Sequence, residues 1–158
     1  MANTYTQLYV HIVFAVHGRE SLLPREFNAE LHRYIGGVLK RKGDSLVEIN
    51  NEPDHIHLLV GFKATRAIAD IARDIKSNSS RFIREKGLSR REFAWQEGYA
   101  AFTVSRSAVP SVRRYIRNQQ EHHRKRTFRD EYVDMLVRAD ITFEPEFLFK
   151  FVGEADMH

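Results

Sequence analysis

The chain has 158 residues, 42% hydrophobic and 11% aromatic, with a formal net charge of +4. That length supports one compact domain over residues 1–158 and is too short for two independent cores. With no cysteine, a disulfide framework, a thiolate zinc site and a thiol nucleophile are all excluded; no apolar run nears the roughly 18 residues of a membrane span, so a soluble, cytoplasmic protein is expected.

In chain order, "QLYVHIVFAV" predicts a strand, being rich in β-branched and aromatic residues and closed by "HGRE". "PREFNAELHRYIGGVLKRKG" predicts a helix opened by Pro24, with Phe27, Leu31, Tyr34, Ile35 and Val38 at helical spacing and Gly43 at its end. "SLVEINN" and "HIHLLVGF" predict a hairpin turning through Glu52, Pro53 and Asp54. "TRAIADIARDIKSNSSRFIREKG" predicts a long amphipathic helix capped by Thr65 and closed by Gly87. A loop with Trp95 leads to a fourth strand, "YAAFTVS". Two helices follow, "VPSVRRYIRNQQEHHRK" with Pro110 in its first turn and "RDEYVDMLVRAD". The order β-α-β-β-α-β is that of an α+β, ferredoxin-like antiparallel sheet, the split βαβ arrangement, with helices on one face and two helices appended.

Alternation along "HIHLLVGF" sends Ile56, Leu58 and Val60 to one face and His55, His57 and Leu59 to the other. The aliphatic face belongs against the helices, leaving the two imidazoles side by side on a face expected to be open. Histidines at i and i+2 can converge on one ion, or simply pack. His11 in "YVHIVF" shares their face if its strand is adjacent, and is read as a packing or contact residue rather than a ligand.

Charge is segregated. Ser105 to Arg129 holds eight Lys or Arg and one acid, Glu121, and Asp130 onward holds eight acids against Arg138 and Lys150. A basic helix beside an acidic tail is either a solvated surface or a phosphate-tracking one. In "VRRYIRNQQEHH", Tyr115 and Gln119 are one turn apart. They are either ordinary interface residues, or a phenol nucleophile and an amide oxygen able to complete a metal site.

"DHIHLL", "WQEGYAAFTVS" and "YIRNQQEHH", in that order and at these separations, resemble the HUH-class single-tyrosine transposases of the smallest bacterial insertion sequences, the IS200-like family. The name denotes histidine, hydrophobic residue, histidine, here His55-Ile56-His57, and the resemblance extends from "YVHIVF" to "FRDEYVDML". It implies that Tyr115 is the nucleophile and that His55, His57 and Gln119 ligate a divalent ion, Mg²⁺ with Mn²⁺ as substitute. It also implies cleavage and rejoining of single-stranded DNA at hairpin ends through a 5′-phosphotyrosine, by a homodimer whose tyrosine helix can complete its partner's site. Exchange of one phosphoester for another needs no ATP, in keeping with the lack of a GxxxxGK[ST] sequence.

Phosphate contacts are expected from Arg113, Arg114, Arg117, Arg124, Lys125 and Arg126, with His122 and His123 beside them. Lys76 and Arg81 are candidates on the second long helix. Trp95 and Tyr99 can stack on unpaired bases or pack in the core. The alternatives are a non-catalytic single-stranded nucleic-acid-binding module, or a domesticated relative acting on host repeats. A paired-histidine phosphoesterase would need a second H-x-H, H-x-T or H-x-S, and the chain has none.

Overall fold

In the computed structural model, residues 3–19, 22–89, 92–122 and 125–148 are described. Four strands, β1 (Leu8–Ala15), β2 (Ser45–Glu52), β3 (His55–Phe62) and β4 (Ala100–Thr103), form one sheet in the order β2-β3-β1-β4. Every pairing is antiparallel. This is the α+β, ferredoxin-like arrangement expected from the order of elements.

Helices α1 (Asn28–Arg41) and α2 (Ile68–Lys86) cover one face. Val10, Ile12 and Phe14 of β1 and Ile56, Leu58 and Val60 of β3 pack there with Leu31, Ile35, Leu39, Ile71 and Ile75. Complete burial of a Leu or Ile side chain contributes about 1.5–3 kcal/mol, so this layer is the main source of stability. Both helices end as their glycines require: Gly43 (φ 87) follows α1, and Gly87 (φ 63) is the left-handed C-cap of α2. The helix starts differ from expectation. Pro24 heads a short 3-10 turn, Arg25–Phe27, ahead of α1, and α2 starts after Ala67, without a side-chain cap from Thr65.

The second face is not open. Helices α3 (Val109–Arg117), α4 (Gln119–His122) and α5 (Phe128–Arg138) lie across it. The reason is in the strands: Val13, Ala15 and Leu59 point to that face, and leaving them in water would forfeit their burial. Val13 and Ala15 pack with Ala100, Phe128, Tyr132 and Leu136, and Leu59 with Val109 and Ile116. Leu148, from the acidic C-terminal stretch, joins the first of these clusters, and residues 149–151 of "FEPEFLFKF" lie outside the described residues.

The basic helix is two helices. Asn50 of β2 donates from Nδ2 to the carbonyls of Ile116 (2.9 Å) and Arg117 (3.2 Å). It takes up carbonyls that a continuing helix would use, and the chain turns at Asn118 (φ −94, ψ 22) before resuming at Gln119. No helix among the described residues is long and apolar enough to cross a membrane.

Candidate functional site

β3 brings His55 and His57 to the covered face, where both are fully buried. His57 lies opposite Val13 of β1, so His11, two residues earlier on the same face, is its diagonal neighbour. His11 Nε2 and His57 Nδ1 are 2.9 Å apart. His55 Nδ1 is 2.7 Å from Asp54 Oδ1, in the turn just before the strand. Each imidazole is thus held through Nδ1, the usual way a metal-binding histidine is oriented, and Nε2 faces inward.

Around the two Nε2 atoms stand Gln119 and Glu131. The Gln119 amide nitrogen donates to Tyr115 O (3.3 Å) and Glu131 Oε2 (3.2 Å). That turns Gln119 Oε1 toward His55 Nε2, at 3.2 Å. Glu131 is fully buried; its Oε1 lies 3.1 Å from His57 Nε2 and 3.7 Å from His55 Nε2. One donor atom each from His55, His57 and Glu131 falls within 4.8 Å of the others. Two imidazoles, a carboxylate and an amide oxygen facing one point fit a divalent cation of hard to borderline character. With Asp54 accepting the Nδ1 hydrogen of His55, Nε2 of that ring and Oε1 of Gln119 are two lone-pair donors facing each other, an arrangement a cation between them relieves.

Tyr115 comes from the last turn of α3, and its hydroxyl donates to Glu131 Oε2. Glu131 therefore turns one oxygen to the histidines and the other to the phenol. Burial first, then the charge and hydrogen bond of Glu131, hold the Tyr115 phenol well above its ordinary pKa, with Gln119 and Arg126 pulling it back. Burial, then the neighbouring His57, lower His11 to about 3, with Glu131 opposing, so that ring is neutral. Phe128 stacks on His55 with ring centroids 4.0 Å apart and closes the site from α5.

The basic residues are less uniform than the charge count suggested. Arg113 and Arg117 both direct Nε at Glu48 Oε2, at 3.0 and 3.1 Å. Arg114 is exposed, with Ser111 Oγ at 3.4 Å. Arg126 reaches both Asp134 and the Tyr115 hydroxyl, and Lys125 is exposed in the turn before α5. His122 closes α4, while its side chain, together with His123 and Arg124, lies outside the described residues.

Lys76 and Arg81 sit on α2, across the sheet from the histidines. Lys76 Nζ donates to the carbonyls of Gln96, Glu97 and Gly98 at 2.7–3.1 Å, so this ammonium faces the protein's own backbone. Burial lowers it to about 8. Arg81 pairs with Asn78 Oδ1 at 3.0 Å. Trp95 is a core residue whose Nε1 donates to Ser79 Oγ (2.8 Å); Tyr99 is 36% exposed.

Glu131 was not singled out from sequence. Its signal is present, since in "FRDEYVDML" it falls between Phe128 and Tyr132 on the buried stripe that continues to Leu136. An acid on an apolar stripe must be paired, and it reads as surface only while α5 is taken to face solvent.

Fold and site together define a class: ferredoxin-like sheets with a His-hydrophobe-His pair on one strand and a tyrosine presented from an adjoining helix. Residues 4–119 match the family model described as "Transposase IS200 like", and the chain belongs to that family. It is 26% identical over 120 residues to the ISDra2 transposase TnpA of Deinococcus radiodurans, covering 73% of this chain and 86% of that one. To the transposase for insertion sequence element IS200 of Salmonella typhimurium it is 28% identical over 131 residues, covering 77% and 82%. The structure of a REP-associated tyrosine transposase bound to a REP hairpin has the same fold, with a TM-score of 0.55 at 14% identity over 78% of this chain and 73% of that one.

Proposed function

We propose that this IS200-like transposase cleaves and rejoins single-stranded DNA through a 5′-phosphotyrosine on Tyr115. The supporting observation is the Tyr115 hydroxyl on Glu131 Oε2, while the other oxygen of that carboxylate lies against the paired histidines. His55, His57, Gln119 and Glu131 would hold Mg²⁺, or Mn²⁺ in its place. When bound, such an ion neutralises charge on the non-bridging oxygens of the scissile phosphate.

The chain's own groups account for the rest. A phenol with a raised pKa is protonated at neutral pH and a poor nucleophile, so it needs a base within hydrogen-bond reach. Glu131 Oε2 occupies that position. As Tyr115 Oη bonds to phosphorus, the bond from phosphorus to the 3′-oxygen breaks, the phenol proton passes to Glu131, and the departing 3′-oxygen takes a proton from solvent. The reverse exchange reseals a strand without a further energy source.

The substrate is read as the hairpin-bearing ends of its own element. Arg114 and Lys125 are the phosphate contacts that the surface best supports, with Arg113 and Arg117 available once Glu48 is displaced and Arg126 once Asp134 is. Residues 1–158 act as one domain. The family resemblance favours a homodimer, which sedimentation at micromolar concentration tests. Tyr115 and the candidate ligands meet within a single chain, which supports a site assembled without exchange of the tyrosine helix.

The deciding experiment is a denaturing gel of wild type and Tyr115→Phe, incubated with labelled single strands from both flanks of the gene, with Mg²⁺ or with EDTA. A covalent adduct that requires both Tyr115 and metal is expected. Salt-sensitive binding without adduct or cleavage would leave a binding module.

A further inference from the structure

Beside the phenol lies an open cavity of about 500 Å³. Its walls are Phe102 of β4, Val112 of α3 and Met135 of α5, with His11 and Tyr115 at its inner end. Ser111, Arg138 and Ala139 form the rim. Among the described residues the lining includes no carboxylate, and the one charged group in it is Arg138, which is paired with Asp134 at 3.1 Å.

His11 is the buried polar group at the inner end, only 6% exposed. Its Nε2 is taken by His57, and Nδ1 has no hydrogen-bond partner among the described residues. The tautomer follows from the site already described. For His57 Nε2 to offer its lone pair to a cation, the ring hydrogen of His57 must be on Nδ1 and be donated to His11 Nε2. The hydrogen of His11 is then on Nδ1, a buried donor at the cavity's inner end. An unsatisfied donor in an apolar enclosure costs on the order of 1–3 kcal/mol, and an acceptor on a bound molecule removes that cost.

We propose that this cavity is a base-binding subsite, taking the nucleobase next to the scissile phosphate between Phe102, Val112 and Met135, with an acceptor of the base on His11 Nδ1. Three observations converge on a base rather than another apolar group. The cavity shares Tyr115 with the reaction centre, its wall includes an aromatic ring on which a base can stack, and its polar groups besides that phenol are few: His11 at the buried end, with the Ser111 hydroxyl and the Asp134-paired Arg138 toward solvent. It rests on the reading of Tyr115 as the residue that meets the phosphate. The subsite makes the enzyme selective for the base flanking the cut independently of any hairpin contact.

The test scans 2-aminopurine through each position of the flanking single strand, bound to the full chain, and measures quenching by acrylamide. At one position the wild type should lower the quenching constant about twofold, as expected for a base shielded by stacking on one side of an open hollow. Ala139→Trp, at an exposed rim position, fills the mouth and should remove that protection; Ser111→Trp, from the opposite rim, guards against a folding defect in the first variant. An abasic nucleotide at the protected position should slow adduct formation about tenfold in wild type, and by less than about twofold in Ala139→Trp. An apolar isostere of the base, lacking acceptors, should be protected less than the natural base; equal protection would overturn the role of His11. Absence of a protected position, or protection unchanged in both variants, would overturn the subsite. If no adduct forms yet protection persists and is lost in Ala139→Trp, the subsite stands and Tyr115 as nucleophile falls.

Discussion

Glu131 concentrates the chemistry of the site in one side chain. A fully buried carboxylate is tolerated only where partners surround it, and here Gln119 and the Tyr115 hydroxyl donate to one oxygen while His57 Nε2 lies 3.1 Å from the other. Glu131→Gln keeps the shape while removing the charge and the proton acceptor. It should slow adduct formation by about 10²-fold or more and weaken Mn²⁺ binding, followed by electron paramagnetic resonance, by roughly 10- to 100-fold. Tyr132, one residue on and 5% exposed, is a purely structural counterpart. Burial pushes its phenol up to about 12 from an ordinary 10.0. The unfolded chain therefore releases that proton at a lower pH than the folded one, and the stability conferred is whole below pH 10 and lost as pH rises toward 12. Urea titrations at pH 9 and 11.5 should show the wild type losing about 1–2 kcal/mol more than Tyr132→Phe.

At the scale of elements, α5 depends on Thr127, whose hydroxyl accepts from Asp130 N at 3.2 Å as the N-cap. Thr127→Ala should cost about 1 kcal/mol in chemical denaturation, and Thr127→Asp should restore it. Because α5 carries Glu131, the alanine variant should also bind Mn²⁺ more weakly, a coupling that a cap on a remote helix would lack. The strands and the faces their side chains take were legible in the sequence because period-2 alternation and turn residues are local signals. So was the face that His55 and His57 share, since a strand fixes which side chains stand together. The break between α3 and α4 was not legible. It comes from Asn50, a residue of a distant strand that removes carbonyls from the helix, and no pattern within "VRRYIRNQQEHH" contains it. Trp95 shows the same limit, for its indole is placed by Ser79 of α2 rather than by its own loop.

The whole molecule carries a modest excess of positive charge, +4, unevenly available. Arg113 and Arg117 share Glu48, whereas Arg114 is exposed. Arg114→Ala should therefore weaken binding of single-stranded DNA evenly across sequences and reduce the slope of log K against log salt by about 0.7, read from fluorescence anisotropy between low and moderate salt. The sheet is clad on both faces, by α1 and α2 on one and by α3, α4 and α5 on the other. That second layer turns an exposed pair of histidines into an enclosed site. By itself the sequence determined the order of elements, the face on which the histidines stand and the family motifs, since all three are carried by residues close together along the chain. Tertiary structure decided the rest: the cover over the histidine face, the bend that aims Gln119 at His55, and the arrival of Glu131 between the histidine pair and the phenol. Those features depend on burying Val13, Ala15 and Leu59 and on pairing one carboxylate with donors from two other elements, and the energy of such contacts is fixed only when distant segments meet.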